Sequence, residues 1–119
     1  MDKLLKQRLD ILKEAGEISQ DIKEATLEFI SKFENKYSLE MTEENSSMLV
    51  THLAMALSRI KKGEEIEEMN EMALEEVKQS EIYCELPEFY EAIETKLNIE
   101  IPESEKGFLA LHACTLVKK

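Results

Sequence analysis

Residues Asn45 to Glu64 read NSSMLVTHLAMALSRIKKGE, and this stretch decides the fold. Leu49, Leu53, Ala56, Leu57 and Ile60 recur with the spacing of one helical face. Thr42 is a predicted N-cap, with Glu43 and Glu44 in the first turn. Lys61 and Lys62 suit the negative end of the helix dipole, and Gly63 is a natural stop. His52 sits beside the apolar stripe, and Arg59 lies two turns further along roughly the same side. The second histidine, His112, stands in a similar setting near the other end of the chain.

Working outward, residues 2–15 read as a helix with Leu5, Leu9 and Leu12 on one face, stopped at Gly16. Ser19 is placed to cap a second helix running to about Glu34, with Ile22, Thr26, Phe29, Ile30 and Phe33 inward. Asn35 to Met41 read as a short connection. A helix from about Glu64 to Ser80 turns Ile66, Met69, Ala73 and Val77 inward and leaves a run of Glu to solvent. Pro87 fits the first position of a helix carrying Phe89, Tyr90, Ile93 and Leu97. Pro102 does the same for a last helix, with Phe108, Leu109, His112 and Leu116 inward, running to about Val117. No repeat at a fixed period is evident. The expectation is an all-α fold, a bundle of five or six helices.

Composition agrees and excludes several functions. The 119 residues are 43% hydrophobic and 34% charged but only 6% aromatic, so the core must be aliphatic. Three Gly and two Pro are too few for many short strands. A net charge of −11 repels phosphate backbones and acidic bilayers, so neither nucleic acid nor membrane is an expected partner. The N-terminus carries charges where a signal peptide needs an apolar run. Cys84 and Cys114 form no CxxC pair, which points to a reducing, cytoplasmic setting. No HxxxH, ExxH or Gly-rich phosphate loop appears, so no metal and no cofactor is expected.

The remaining candidates are His52, His112, Arg59 and Glu105. A neutral imidazole is abundant near pH 7 and can accept a phosphoryl group, whose charge Arg59 is positioned to balance at His52. Glu105 stands two turns before His112 on the same helix and is a candidate to orient that ring. The alternative is a pair of core-edge histidines satisfied by neighbours. These readings leave three rivals open: a switch, a helical dimerisation or adaptor module, and a small helical enzyme using His52 and Arg59 on an anionic substrate.

Two segments resemble a known family. Leu49-x-x-His52-Leu53-Ala54-x-Ala56-Leu57-x-Arg59-Ile60-x-x-Gly63 is similar to the first half of a PTS regulation domain (PRD). Ile101-Pro102-x-x-Glu105-x-Gly107-Phe108-Leu109-Ala110-Leu111-His112 is similar to its second half, with Tyr83 and Glu88-Phe89-Tyr90-x-Ala92-Ile93 between them. The resemblance runs over about residues 20–117. It implies residues 17–119 as a PRD-like domain preceded by a helical extension, residues 1–16.

The family implies a five-helix bundle that dimerises, a non-enzymatic module of the sugar phosphotransferase system. Its histidines accept phosphoryl groups from the phosphocarrier protein or an enzyme II component. By position His52 and His112 inherit that role, with Arg59 and Glu105 as supporting residues. Related transcription regulators and antiterminators carry two such domains behind an RNA- or DNA-binding module. This chain resembles the small stand-alone members. Thr51 and Ser104 stand where the family often has acidic residues. The expectations are that both histidines share one surface cleft and that phosphorylation alters dimer packing. Phosphorylation is expected to be tolerated at His52 beside Arg59 and disruptive at His112, where Glu105 opposes it.

Overall fold

The computed structural model describes residues 2–64, 71–79 and 81–117. All regular structure among them is helical: α1 (Lys3–Glu14), α2 (Gln20–Tyr37), α3 (Glu43–Lys61), α4 (Glu71–Lys78), α5 (Glu81–Glu85), α6 (Pro87–Leu97) and α7 (Glu103–Val117). The expected fourth helix meets the described chain only as α4. Its Ile66 and Met69 lie outside the described residues, as does the Ala73 side chain. The short α5 before Pro87 was not expected and brings the described helices to seven.

Local chemistry sets the ends. Asp2 accepts the Leu4 N–H at 3.1 Å and, through its other oxygen, the Glu43 N–H at 2.7 Å, so one carboxylate ties the starts of α1 and α3. Gly16 closes α1 at φ +80°, a conformation a side chain would strain. Thr42 and Asn45 form a reciprocal capping box on α3: the Asn45 N–H donates to Thr42 Oγ1 and the Thr42 N–H to Asn45 Oδ1. Helix α2 runs beyond the expected Glu34 to Tyr37, where Ser38 turns left-handed at φ 51°.

Helix α3 is the centre of the packing. Leu49, Val50, Leu53, Ala54 and Leu57 are buried, and α1, α2 and α7 all pack on it. Ile60, expected in the stripe, is only half-buried because the helix is leaving the core there. Leu5 and Leu9 of α1 are fully buried in the same cluster.

The bundle contains a relation not evident in the sequence reading. Hairpin α2–α3 matches hairpin α6–α7 at a constant offset in numbering. Glu34 accepts the Met41 N–H and Glu94 the Ile101 N–H, both at 2.8 Å. Ser38 and Asn98 are both left-handed, and Met41 and Ile101 are both buried. The matched residues also meet each other: Phe29 and Phe89 ring centroids are 5.5 Å apart. Lys36 pairs with Glu88 at 2.6 Å, and reciprocally Lys96 pairs with Glu28 at 3.4 Å. Such reciprocal contacts are the signature of an approximate two-fold, here inside one chain. The identities behind it are few and scattered, which hid it from a reading by period.

Candidate functional site

His52 on α3 and His112 on α7 are mates under that relation. Their ring centroids are 6.1 Å apart, so helices distant in sequence bring the two imidazoles together. They are close enough to share one surface region, as expected from sequence, and they line two adjoining clefts of it. The first, of about 590 Å³, is lined by Arg8, Thr51, His52, Met55, Arg59, Glu105 and Phe108 among others. The second, of about 630 Å³, includes Glu44, Asn45, His112, Thr115 and Leu116. Ser47 and Met48 line both.

Glu105 is the correction to the sequence reading. It makes no ion pair or hydrogen bond with His112, two helical turns further along α7. It points across the seam instead, and its Oε1 lies 2.8 Å from His52 Nε2. The carboxylate is 1% exposed. The distance is that of a paired acid and base, but the N–H axis is not aligned on the oxygen, so the contact falls short of a linear hydrogen bond. At 2.8 Å the two remain a close acid–base pair. The matched residue in the other hairpin is Asn45, which lines the His112 cleft but is committed to the α3 cap.

Pro102 explains why Glu105 is available. It occupies the position that Thr42 holds before α3, and it has no N–H for a third-position side chain to accept. Glu105 is therefore released from capping and turns into the seam.

The imidazoles differ accordingly. The Glu105 carboxylate holds the His52 imidazolium above its ordinary range, against burial and the repulsion of Arg59. Burial pushes His112 below its ordinary range, a charge on His52 adds to this, and the Glu105 carboxylate opposes it. Near neutral pH, His112 is the neutral ring and His52 the more protonated one.

Arg59 lines the His52 cleft as expected and is exposed. The sequence reading missed Arg8, which α1 delivers to the same cleft. Its Nε donates to Glu43 at 3.1 Å and its Nη1 reaches Thr51 Oγ1 at 3.4 Å. The signal for it was weak: one Arg on the polar side of an amphipathic helix. Phe108 packs on His52 with centroids 5.2 Å apart. Among the described residues no three His, Cys, Asp or Glu side chains converge as a metal-holding group, and no helix is long and apolar enough to cross a membrane.

Comparison with known proteins agrees with this architecture. The family model described as PRD domain matches residues 27–113, a span that begins in α2, ends in α7 and takes in both histidines. The chain belongs to the PRD domain family, a family of regulatory domains. It is 30% identical over 105 residues to YhfY of Escherichia coli (strain K12), described as an uncharacterized protein, with 88% of each chain covered. No solved structure matches it.

Proposed function

We propose that this PRD domain is a histidine-phosphorylated regulatory switch of the sugar phosphotransferase system, acting by protein–protein contact on transcription. The observation that carries the reading is the pair of imidazoles 6.1 Å apart, each opening on its own cleft. The donor is the phosphocarrier protein or an enzyme II component. Exposed Met48 and Leu111 lie beside the histidines in sequence and offer apolar contact to a partner or a second copy. A net charge of −11 gives nucleic acid no electrostatic footprint, so the output runs through protein contacts.

The two acceptors have unequal chemistry. His112 is the readier nucleophile, being neutral, but Glu44 lines its cleft and no cation does among the described residues. His52 is the slower nucleophile, but Arg59 lines its cleft and matches the added charge of a phosphoryl group, while Arg8 beside it is already paired with Glu43. Glu105, placed by sequence against His112, instead faces the Nε2 side of His52. The reading thus assigns fast uptake to His112 and better-matched retention to His52.

The test is incubation with the general phosphotransferase proteins and phosphoenolpyruvate, followed by intact mass. Two phosphates are expected in the wild type, one in each of His52→Ala and His112→Ala, and none in the double variant. Uptake by the double variant overturns the acceptor assignment. No uptake by the wild type leaves a dimerisation or adaptor module. Sedimentation with and without phosphate reports whether assembly responds.

A further inference from the structure

Each imidazole has two nitrogens, and only a nitrogen with an open lone pair can attack phosphorus. In His52 the two are not equivalent. Nε2 is buried and faces the Glu105 carboxylate at 2.8 Å, whereas the side chain as a whole is 37% exposed. Nδ1 is not among the buried unpaired atoms and has no hydrogen bond among the described residues. The accessible part of the ring therefore includes Nδ1, and His52 lines the cleft that holds Arg8 and Arg59. In His112 neither nitrogen is buried and unpaired, and no carboxylate is paired with the ring.

Glu105 has its own requirement. Both of its oxygens are buried and lack a hydrogen bond of good geometry. An ionised carboxylate only accepts, so it needs a donor. His52 Nε2 is the group within reach, and it meets the need only while it carries its proton. A buried carboxylate left without that proton carries an uncompensated desolvation penalty. The carboxylate thus selects the ring form with hydrogen on Nε2 and the lone pair on Nδ1.

We infer that Glu105 is a positioning residue that commits His52 to accept a phosphoryl group through Nδ1 alone, while His112 is free to react through either nitrogen. The inference rests on the phosphoacceptor reading for its biological donor, but the choice of nitrogen is a property of this chain. In the step, the Nδ1 lone pair forms a new P–N bond. The donor's own P–N bond breaks, and the donor nitrogen leaves with that electron pair. The proton on Nε2 stays in place. The phosphorylated ring is then cationic at Nε2–H and sits against the Glu105 anion, so the same contact that selects the nitrogen also steadies the product.

Phosphoramidate, a small phosphoryl donor that releases ammonia, tests this without any phosphotransferase protein. The His112→Ala variant is treated with it, and the phosphohistidine isomer is read by long-range nitrogen–proton NMR. The expected product is the Nδ1 isomer at His52 as the sole adduct of that ring. An Nε2 adduct, or no adduct at His52, overturns the inference. In Glu105→Ala the Nε2 edge opens, and loss of the single-isomer outcome is expected. Glu105→Gln keeps the shape, and a fall in the His52 titration midpoint separates positioning by charge from mere packing. Should the phosphocarrier fail to label a protein that phosphoramidate labels at Nδ1, the proposed function falls and the nitrogen assignment stands.

Discussion

Hairpins α2–α3 and α6–α7 share their turn chemistry, their buried turn residue and their histidine, yet they end with opposite electrostatics. In one, a threonine cap holds Asn45 at the helix start. In the other, Pro102 precedes the helix, and Glu105 crosses the seam to His52. One exchange at the start of a helix therefore decides which of two facing imidazoles is acid-paired. Near-symmetric scaffolds acquire unequal sites in this way, by changing a cap and not the core.

The comparison breaks most visibly in stability. His52→Ala leaves a buried carboxylate unpaired and is expected to cost about 3 kcal/mol. His112→Ala, at a half-exposed ring without a paired acid, is expected to cost below about 1 kcal/mol. Urea unfolding of both variants at neutral pH checks the order. Combining His52→Ala with Glu105→Gln should recover part of the loss, because no charge then remains buried.

A smaller effect transplants the difference. Asn45→Glu combined with Thr42→Pro copies the start of the other helix and places a carboxylate at the matched position of the His112 cleft with no cap N–H to hold it. The His112 midpoint is expected to rise by up to about one pH unit, read by NMR titration. No movement would mean that the seam is not symmetric enough to exchange roles.

The pH dependence of stability follows from the same pair. The folded value of His52 is raised, so its contribution is present below about pH 6.5 and is lost as pH rises through that raised value. The folded value of His112 is lowered, so its contribution is present above about pH 6.5 and is lost as pH falls through that lowered value. Together they favour a maximum near pH 6.5. His52→Ala should flatten the alkaline limb, and His112→Ala the acid limb. The smallest effect is that of Arg59→Ala: stability within about 0.5 kcal/mol, with a slight rise in the His52 midpoint as a repulsion is removed.

The helices and most of the core were legible because apolar spacing and caps agree locally. Thr42, Gly63, Ser19, Gly16 and Pro87 act as read, and the inward residues of α2 and α6 are buried. Both histidines could be singled out by type. What could not be read was the partner of Glu105. Spacing along one helix ranks its neighbours, whereas the contact with His52 is made between helices. Arg8 was hidden for the same reason, and the symmetry was hidden because its matched identities, such as Phe29 with Phe89 and His52 with His112, are few and scattered.

The most direct test is a time course of phosphate at each histidine near pH 7, using phosphoenolpyruvate and the general phosphotransferase proteins, with peptides resolved by mass. The prediction is label at His112 first and at His52 later, with none in the double alanine variant. Label in the double variant, or a wild type that takes up none, contradicts the account.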